Sequence, residues 1–109
     1  MDKETLQFLK EEYCKTIPIK VDQVRVLIDS LKADWSLDNL RAFRFHVHKI
    51  AGSAGSYGYT SVTELCKCAE QLVLSESDHF DPLHVNKELL VKLDQFFESL
   101  KQGFDCERP

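Results

Sequence analysis

Between Leu40 and Tyr57 the apolar residues fall at Leu40, Phe43, Val47, Ile50, Ala54 and Tyr57. The steps are three, four, three, four and three, a heptad-like stripe that packs one helix against others in a bundle. A strand cannot bury this spacing, because its side chains change face at every residue. The stretch is therefore a helix with one buried face, and the rest of the chain must supply its partners. Breakers are scarce: glycine stands only at positions 52, 55, 58 and 103, and proline at 18, 82 and 109. No strand run, internal repeat or low-complexity segment interrupts the helical periodicity, so the chain reads as all-α.

A first helix is expected over Lys3 to Lys15, with Leu6, Leu9 and Tyr13 on one face. Thr16-Ile17-Pro18 interrupts or bends the path, and a second helix starts near Pro18, because proline suits a first turn. It carries Val21, Val24, Leu27 and Leu31 and ends near Asp34-Trp35. Ser36 is a good N-cap for the third helix, with Asp38 in its first turn. That helix runs to Ser56 or Tyr57, where Gly58 terminates it. Ser61-Val62-Thr63-Glu64 reads as a capping box that opens the fourth helix. Ser75 to Pro82 reads as a loop, and a last helix spans about His84 to Gln102. Gly103 caps it, and 104–109 is a loose tail. The short connection before Ser61 makes the third and fourth helices a tight αα-hairpin. The expected fold is an antiparallel four-helix bundle with an additional N-terminal helix or a bent first one. It forms a single domain over 1–109, with its core at about 3–103.

A chain of 109 residues and net charge −4 has the size of one domain and the wrong charge for a basic nucleic-acid binder. No apolar run approaches the roughly 18–20 residues that span a bilayer. The polar start Met1-Asp2-Lys3-Glu4 lacks a signal-peptide core, so a cytoplasmic protein is expected. Cys14, Cys66, Cys68 and Cys106 are then expected to be reduced. Cys66 and Cys68 are two residues apart, about 200° around a helix, which suits neither a redox nor a zinc pair.

Two histidines and three glycines sit together in Phe45-His46-Val47-His48-Lys49-Ile50-Ala51-Gly52-Ser53-Ala54-Gly55-Ser56-Tyr57-Gly58-Tyr59. Each glycine inside a helix costs about 0.5–1 kcal/mol relative to alanine, so an open surface is indicated. At about 100° per residue, His48 lies roughly 140° from the core direction and faces outward. Arg41, Arg44, Phe45, Gly52, Gly55 and Tyr59 share its sector. The bare glycines would let a partner's backbone approach His48, with Phe45 and Tyr59 as apolar contacts. His46 lies within about 60° of the core and reads as a boundary residue that packs and hydrogen-bonds. His79 and His84 read as loop or cap residues. No nucleophile elbow and no P-loop accompany His48. Pattern alone leaves two readings, a histidine that carries a phosphoryl group and a plain interaction bundle.

His48-Lys49-Ile50-Ala51-Gly52-Ser53-Ala54-Gly55-Ser56-Tyr57-Gly58 closely resembles the motif of histidine-containing phosphotransfer (HPt) domains. Gly52 and Gly58 fit that register with His48 and not with His46. Leu65 and Ala69-Glu70-Gln71-Leu72 resemble the family's following helix, and the helical order extends the likeness along nearly the whole chain. The resemblance implies that His48 accepts a phosphoryl group on Nε2 from a receiver-domain aspartate and passes it to another receiver. It implies response-regulator receivers and a histidine kinase, hybrid or simple, as partners, a monomer, and no ATP site or metal of its own. Mg²⁺ is expected in the partner receiver. One position departs from the motif: Ala51 stands where the family usually has a lysine that holds the phosphoryl oxygens. Lys49, Arg44 and Lys67 are the candidates to supply that charge. The rivals are a receiver-binding adaptor without transfer, a metal- or cofactor-binding bundle using His46, His48, Cys66 and Cys68, and a histidine hydrolase.

Overall fold

The structure, a computed structural model, describes residues 2–106. Four helices follow one another: α1 (Lys3–Ala33), α2 (Leu37–Ser56), α3 (Thr60–Asp78) and α4 (Lys87–Cys106). No strand occurs among the described residues. Local chemistry sets most of the ends. The Asp2 carboxylate accepts from the Thr5 N–H at 2.7 Å and the Ser36 hydroxyl from the Asn39 N–H at 3.2 Å, each satisfying a first-turn donor. Asn86 does the same for α4, accepting from the Leu89 N–H at 3.0 Å. Beyond α2, Gly58 takes φ +88°, where a side chain would be strained, and so stops the helix as expected.

The expected break at Thr16-Ile17-Pro18 does not form. One continuous helix of 31 residues carries Pro18 inside it, so the additional N-terminal helix is the first half of α1. Tyr13, Ile17 and Val21, on both sides of the proline, are all buried. Burying such side chains is worth about 1.5–3 kcal/mol each. Together they outweigh the roughly 3 kcal/mol of an interior proline.

Three further boundaries differ from expectation. The N-cap of α3 is Tyr59 rather than Ser61, and no side chain caps it. Thr63, the third residue of the expected capping box, instead donates its hydroxyl to the Ala51 carbonyl at 3.1 Å. The Ser75–Asp78 segment is not a loop but the last turn of α3, where the Ser77 hydroxyl donates back to the Val73 carbonyl at 2.9 Å. Finally, α4 starts three residues later than expected and runs past Gly103 to Cys106. Gly103 is no cap: a Cβ there would sit 3.1 Å from Val62 Cγ2 and 3.6 Å from Leu65 Cδ1. Its lack of a side chain lets α4 press against α3. The expected tail begins with Phe104, which is 2 % exposed and packs edge-on against Tyr59 at 5.2 Å between ring centroids. Asp105 and Cys106 continue α4, and 107–109 lie outside the described residues.

Cross-helix contacts fix the directions. Tyr13 meets Ser53 and Lys20 meets His46, so α1 and α2 are antiparallel. Gly55 faces Thr63 and His48 faces Glu70, so α2 and α3 are antiparallel. Glu76 meets Asn86 near the loop and Leu65 meets Gly103 at the far end, which makes α3 and α4 antiparallel too. The four form an up-and-down bundle around Val24, Ile28, Leu40, Phe43, Val47, Val62, Leu93 and Leu100, all fully buried. Outside the core, Arg25 and Lys32 of α1 share the Asp94 carboxylate of α4 at 2.9 and 2.8 Å. Partial burial pushes the Asp94 carboxyl up, but these two donors hold it below the usual range.

Because Phe104 closes the core, Phe104→Ala should cost about 3–5 kcal/mol in urea-induced unfolding. An unchanged midpoint would mean that the chain beyond Gly103 is dispensable to the bundle.

Candidate functional site

The buried stripe of α2 leaves three accessible flanks. Arg44, His48 and Gly55 face α3, His46 and Ser53 face α1, and Phe45, Lys49 and Gly52 lie on the ridge between. His48 is 68 % exposed as a side chain, and its Nδ1 lies 2.9 Å from Oε2 of Glu70 on α3. Glu70 is itself only 13 % exposed, and Arg44 Nε stands 3.6 Å from the same oxygen. A shielded carboxylate needs such partners. A carboxylate can only accept a hydrogen bond, so Nδ1 carries the proton and donates it. In the neutral ring Nε2 then keeps its lone pair, at the edge away from Glu70.

This pairing gives the imidazole an orientation and a tautomer without burying it. It also places a negative charge where positive charge would develop if Nε2 formed a bond to an electrophile. The result is an oriented imidazole with one open side.

The other expected site residues divide into two groups. Phe45 is 64 % exposed, with Lys49 Nζ 5.0 Å from its ring centroid. Gly52 is open: a Cβ there would meet nothing within 4 Å. These three stay on the accessible ridge. Tyr59 does not. It is 1 % exposed, with its hydroxyl 3.1 Å from Cys14 Sγ, because the chain turns at Gly58 before reaching it. A helical wheel carried through that turn misplaced it. Ala51 is 8 % exposed, and its link to α3 is its carbonyl, which accepts from the Thr63 hydroxyl. Gly55 has a packing reason, since a Cβ would press on Thr63 Oγ1 at 3.2 Å. Lys67 is exposed on α3, beside an apolar groove shared with Cys68, Gln71, Leu72 and Ser75, and makes no ion pair with Glu70, whose partners are Arg44 and His48.

Glu70 was not among the expected site residues. Its signal was present in the hairpin register. The pairing that sets Thr63 opposite Gly55 sets Glu70 opposite His48, seven residues away from the turn on each helix. His46 is a half-buried boundary residue, as read from the wheel. Its Nε2 lies 3.2 Å from the Lys20 carbonyl, so Nε2–H is the donor. Burial lowers its pKa against the pull of that hydrogen bond, and Lys49 and Lys20 lower it further.

The two histidines thus lie on opposite flanks of α2 and cannot share a metal ion. Burial pushes the Cys66 thiol up to about 12, with Glu70 adding to the effect, so this sulfur stays protonated and is a poor ligand. Cys14, Cys66 and Cys68 are free thiols. No helix among the described residues is long and apolar enough to cross a membrane.

The sequence profile of the Hpt domain matches residues 19–103. No curated protein and no solved structure matches the chain. The matched span takes in the second half of α1, all of α2 and α3 and most of α4, and with them Arg44, His48 and Glu70. An exposed, carboxylate-anchored histidine on an up-and-down helical bundle, under a profile that covers most of the sequence, places this chain in the Hpt domain family, the histidine phosphotransfer domains of two-component signalling.

Proposed function

We propose that this protein is a cytoplasmic phosphorelay intermediate whose phosphoacceptor is His48. The observation that carries the reading is the 2.9 Å contact of His48 Nδ1 with Glu70 on a ring that is otherwise largely exposed. Nε2 attacks the phosphorus of a receiver's aspartyl phosphate. The P–N bond forms as the P–O bond to the aspartate breaks, and the aspartate leaves as a carboxylate. The ring becomes a phosphoimidazolium that keeps its Nδ1 proton, and Glu70 neutralises the added positive charge. Attack by another receiver's aspartate on the same phosphorus reverses the steps and restores the neutral ring. Such transfers depend on positioning and charge stabilisation more than on covalent chemistry.

The receiver, rather than this chain, is expected to supply Mg²⁺ and the cation that holds the phosphoryl oxygens. On this side Arg44 is the cation in contact with Glu70, which makes it the first candidate for the charge missing at Ala51. Lys49, over Phe45, sits one residue beyond His48 on the docking ridge and is the second. A hybrid histidine kinase would load the first receiver. The bundle closes its core within one chain, which supports action as a monomer. Receivers and their kinases work where ATP is available, hence the cytoplasmic placement.

Mixing the protein with phosphorylated receivers should put an acid-labile, base-stable phosphate on it. His48→Gln should abolish the label and His46→Gln should keep it. The opposite pattern would move the acceptor to His46, and a wild-type chain that binds receivers but never takes label would be an adaptor. Gly52 separates fold from docking. A Cβ at position 52 meets no neighbour, so the thermal midpoint of Gly52→Leu should stay or rise slightly, by the roughly 0.5–1 kcal/mol that glycine costs a helix. Transfer should nonetheless fall by at least tenfold, because the side chain fills the space beside His48. Unimpaired transfer in a folded Gly52→Leu protein would remove the open-surface role.

A further inference from the structure

On the flank of α2 away from Glu70, Lys49, His46 and Ser53 face Lys20 and Gln23 of α1 across a cleft of about 270 Å³. It adjoins a second cleft of about 380 Å³ floored by Val26, Leu27 and Ala42, and Gln23, His46 and Lys49 line both. No carboxylate lines either cleft. Lys20 Nζ is held by the Thr16 hydroxyl at 2.9 Å and stands 5.1 Å from the Tyr13 ring centroid. Lys49 Nζ stands over Phe45. Neither forms an ion pair among the described residues, whereas Arg25, Lys32 and Arg44 all meet carboxylates. The His46 ring donates its Nε2 proton to the Lys20 carbonyl and leaves Nδ1 without a hydrogen bond among the described residues. In a chain of net charge −4, the groove is a local concentration of uncompensated positive charge.

The groove is also apolar along one side. Val26 is 62 % exposed and Phe45 is 64 % exposed. Phe45, Lys49 and Gly52 form the ridge that joins it to His48, so a body seated over His48 extends across it.

We propose that the α1–α2 groove is a specificity contact for the receiver, in which an aspartate or glutamate side chain of the docked domain enters between Lys20 and Lys49 while its apolar neighbours cover Val26 and Phe45. This rests on the phosphorelay reading for its partner. It adds that recognition is electrostatic on the α1 side, away from the reacting atoms. Complementary charge at such a rim acts on encounter and partner choice more than on the chemical step.

Lys20 is the residue to change, since it lies on α1 and takes no part in the His48–Glu70 pair. With a receiver that labels His48, Lys20→Glu should raise Kd at least tenfold, leave the transfer rate at saturating receiver within twofold, and flatten the salt dependence of binding. Replacing the receiver's contacting carboxylate by lysine should restore Kd in the Lys20→Glu protein and in no other. Circular dichroism and the thermal midpoint of Lys20→Glu should match wild type. An unchanged Kd in a folded Lys20→Glu protein would overturn the proposal, as would a fall in the saturating rate with Kd intact. Receivers that bind through this groove but leave His48 unlabelled would support the docking site and sink the phosphorelay reading instead. Shifts of the Val26 and Lys49 amide resonances on concentrating the protein alone would assign the groove to a second copy and overturn the receiver contact.

Discussion

The contact on which the site depends is the hydrogen bond between His48 and Glu70, and that bond depends on how closely α2 and α3 can approach. Glu70 reaches Nδ1 from a neighbouring helix, not from a loop. The helices come close at their turn because Gly55 lacks a side chain opposite Thr63, and Thr63 ties itself to the Ala51 carbonyl. Positive φ at Gly58 closes the connection within a few residues. The glycines that look costly in an isolated helix therefore set the register that puts a carboxylate beneath the imidazole. Of the two glycines inside α2, Gly52 is the one without a packing reason, and its bareness belongs to the outer surface.

The bundle supplies rigidity at the level of the helices while leaving the reactive ring in solvent. His48 is exposed, but its partner is shielded, and the partner's second contact is a cation on the same helix. A shielded carboxylate with fixed donors keeps its place when the ring's charge changes. A carrier that must both receive and surrender a group needs an unobstructed face and a ring whose orientation survives each transfer. A deep pocket would fix the ring as well, but would close it to a docking protein.

Much of this was legible in the sequence. The stripe from Leu40 to Tyr57 sets α2 and its buried face, Ser36 its start and Gly58 its end. The same periodicity separated an outward His48 from a boundary His46. What local signals could not reveal were the places where tertiary packing overrides them. Pro18 reads as a break but lies in a helix held by Tyr13, Ile17 and Val21. Gly103 reads as a cap but is a close-packing position, and Phe104 beyond it belongs to the core. Tyr59 was placed by continuing a helical wheel through a turn that the wheel cannot describe. Glu70 was missed because its importance lies in a cross-helix register, which becomes visible only once the hairpin is drawn with Gly55 against Thr63.

Which ring nitrogen of His48 is free decides whether Glu70 can serve the transfer. Ring nitrogen-15 NMR of the protein before and after phosphorylation reads this directly. The expected spectrum for His48 has the proton on Nδ1 in the free protein and phosphorus bonded to Nε2 in the loaded one. Glu70→Ala should weaken the tautomer preference and slow transfer by about 10–100-fold, the equivalent of one lost charge-assisted hydrogen bond. Phosphorus on Nδ1, or a free His48 with its proton on Nε2, would contradict the account.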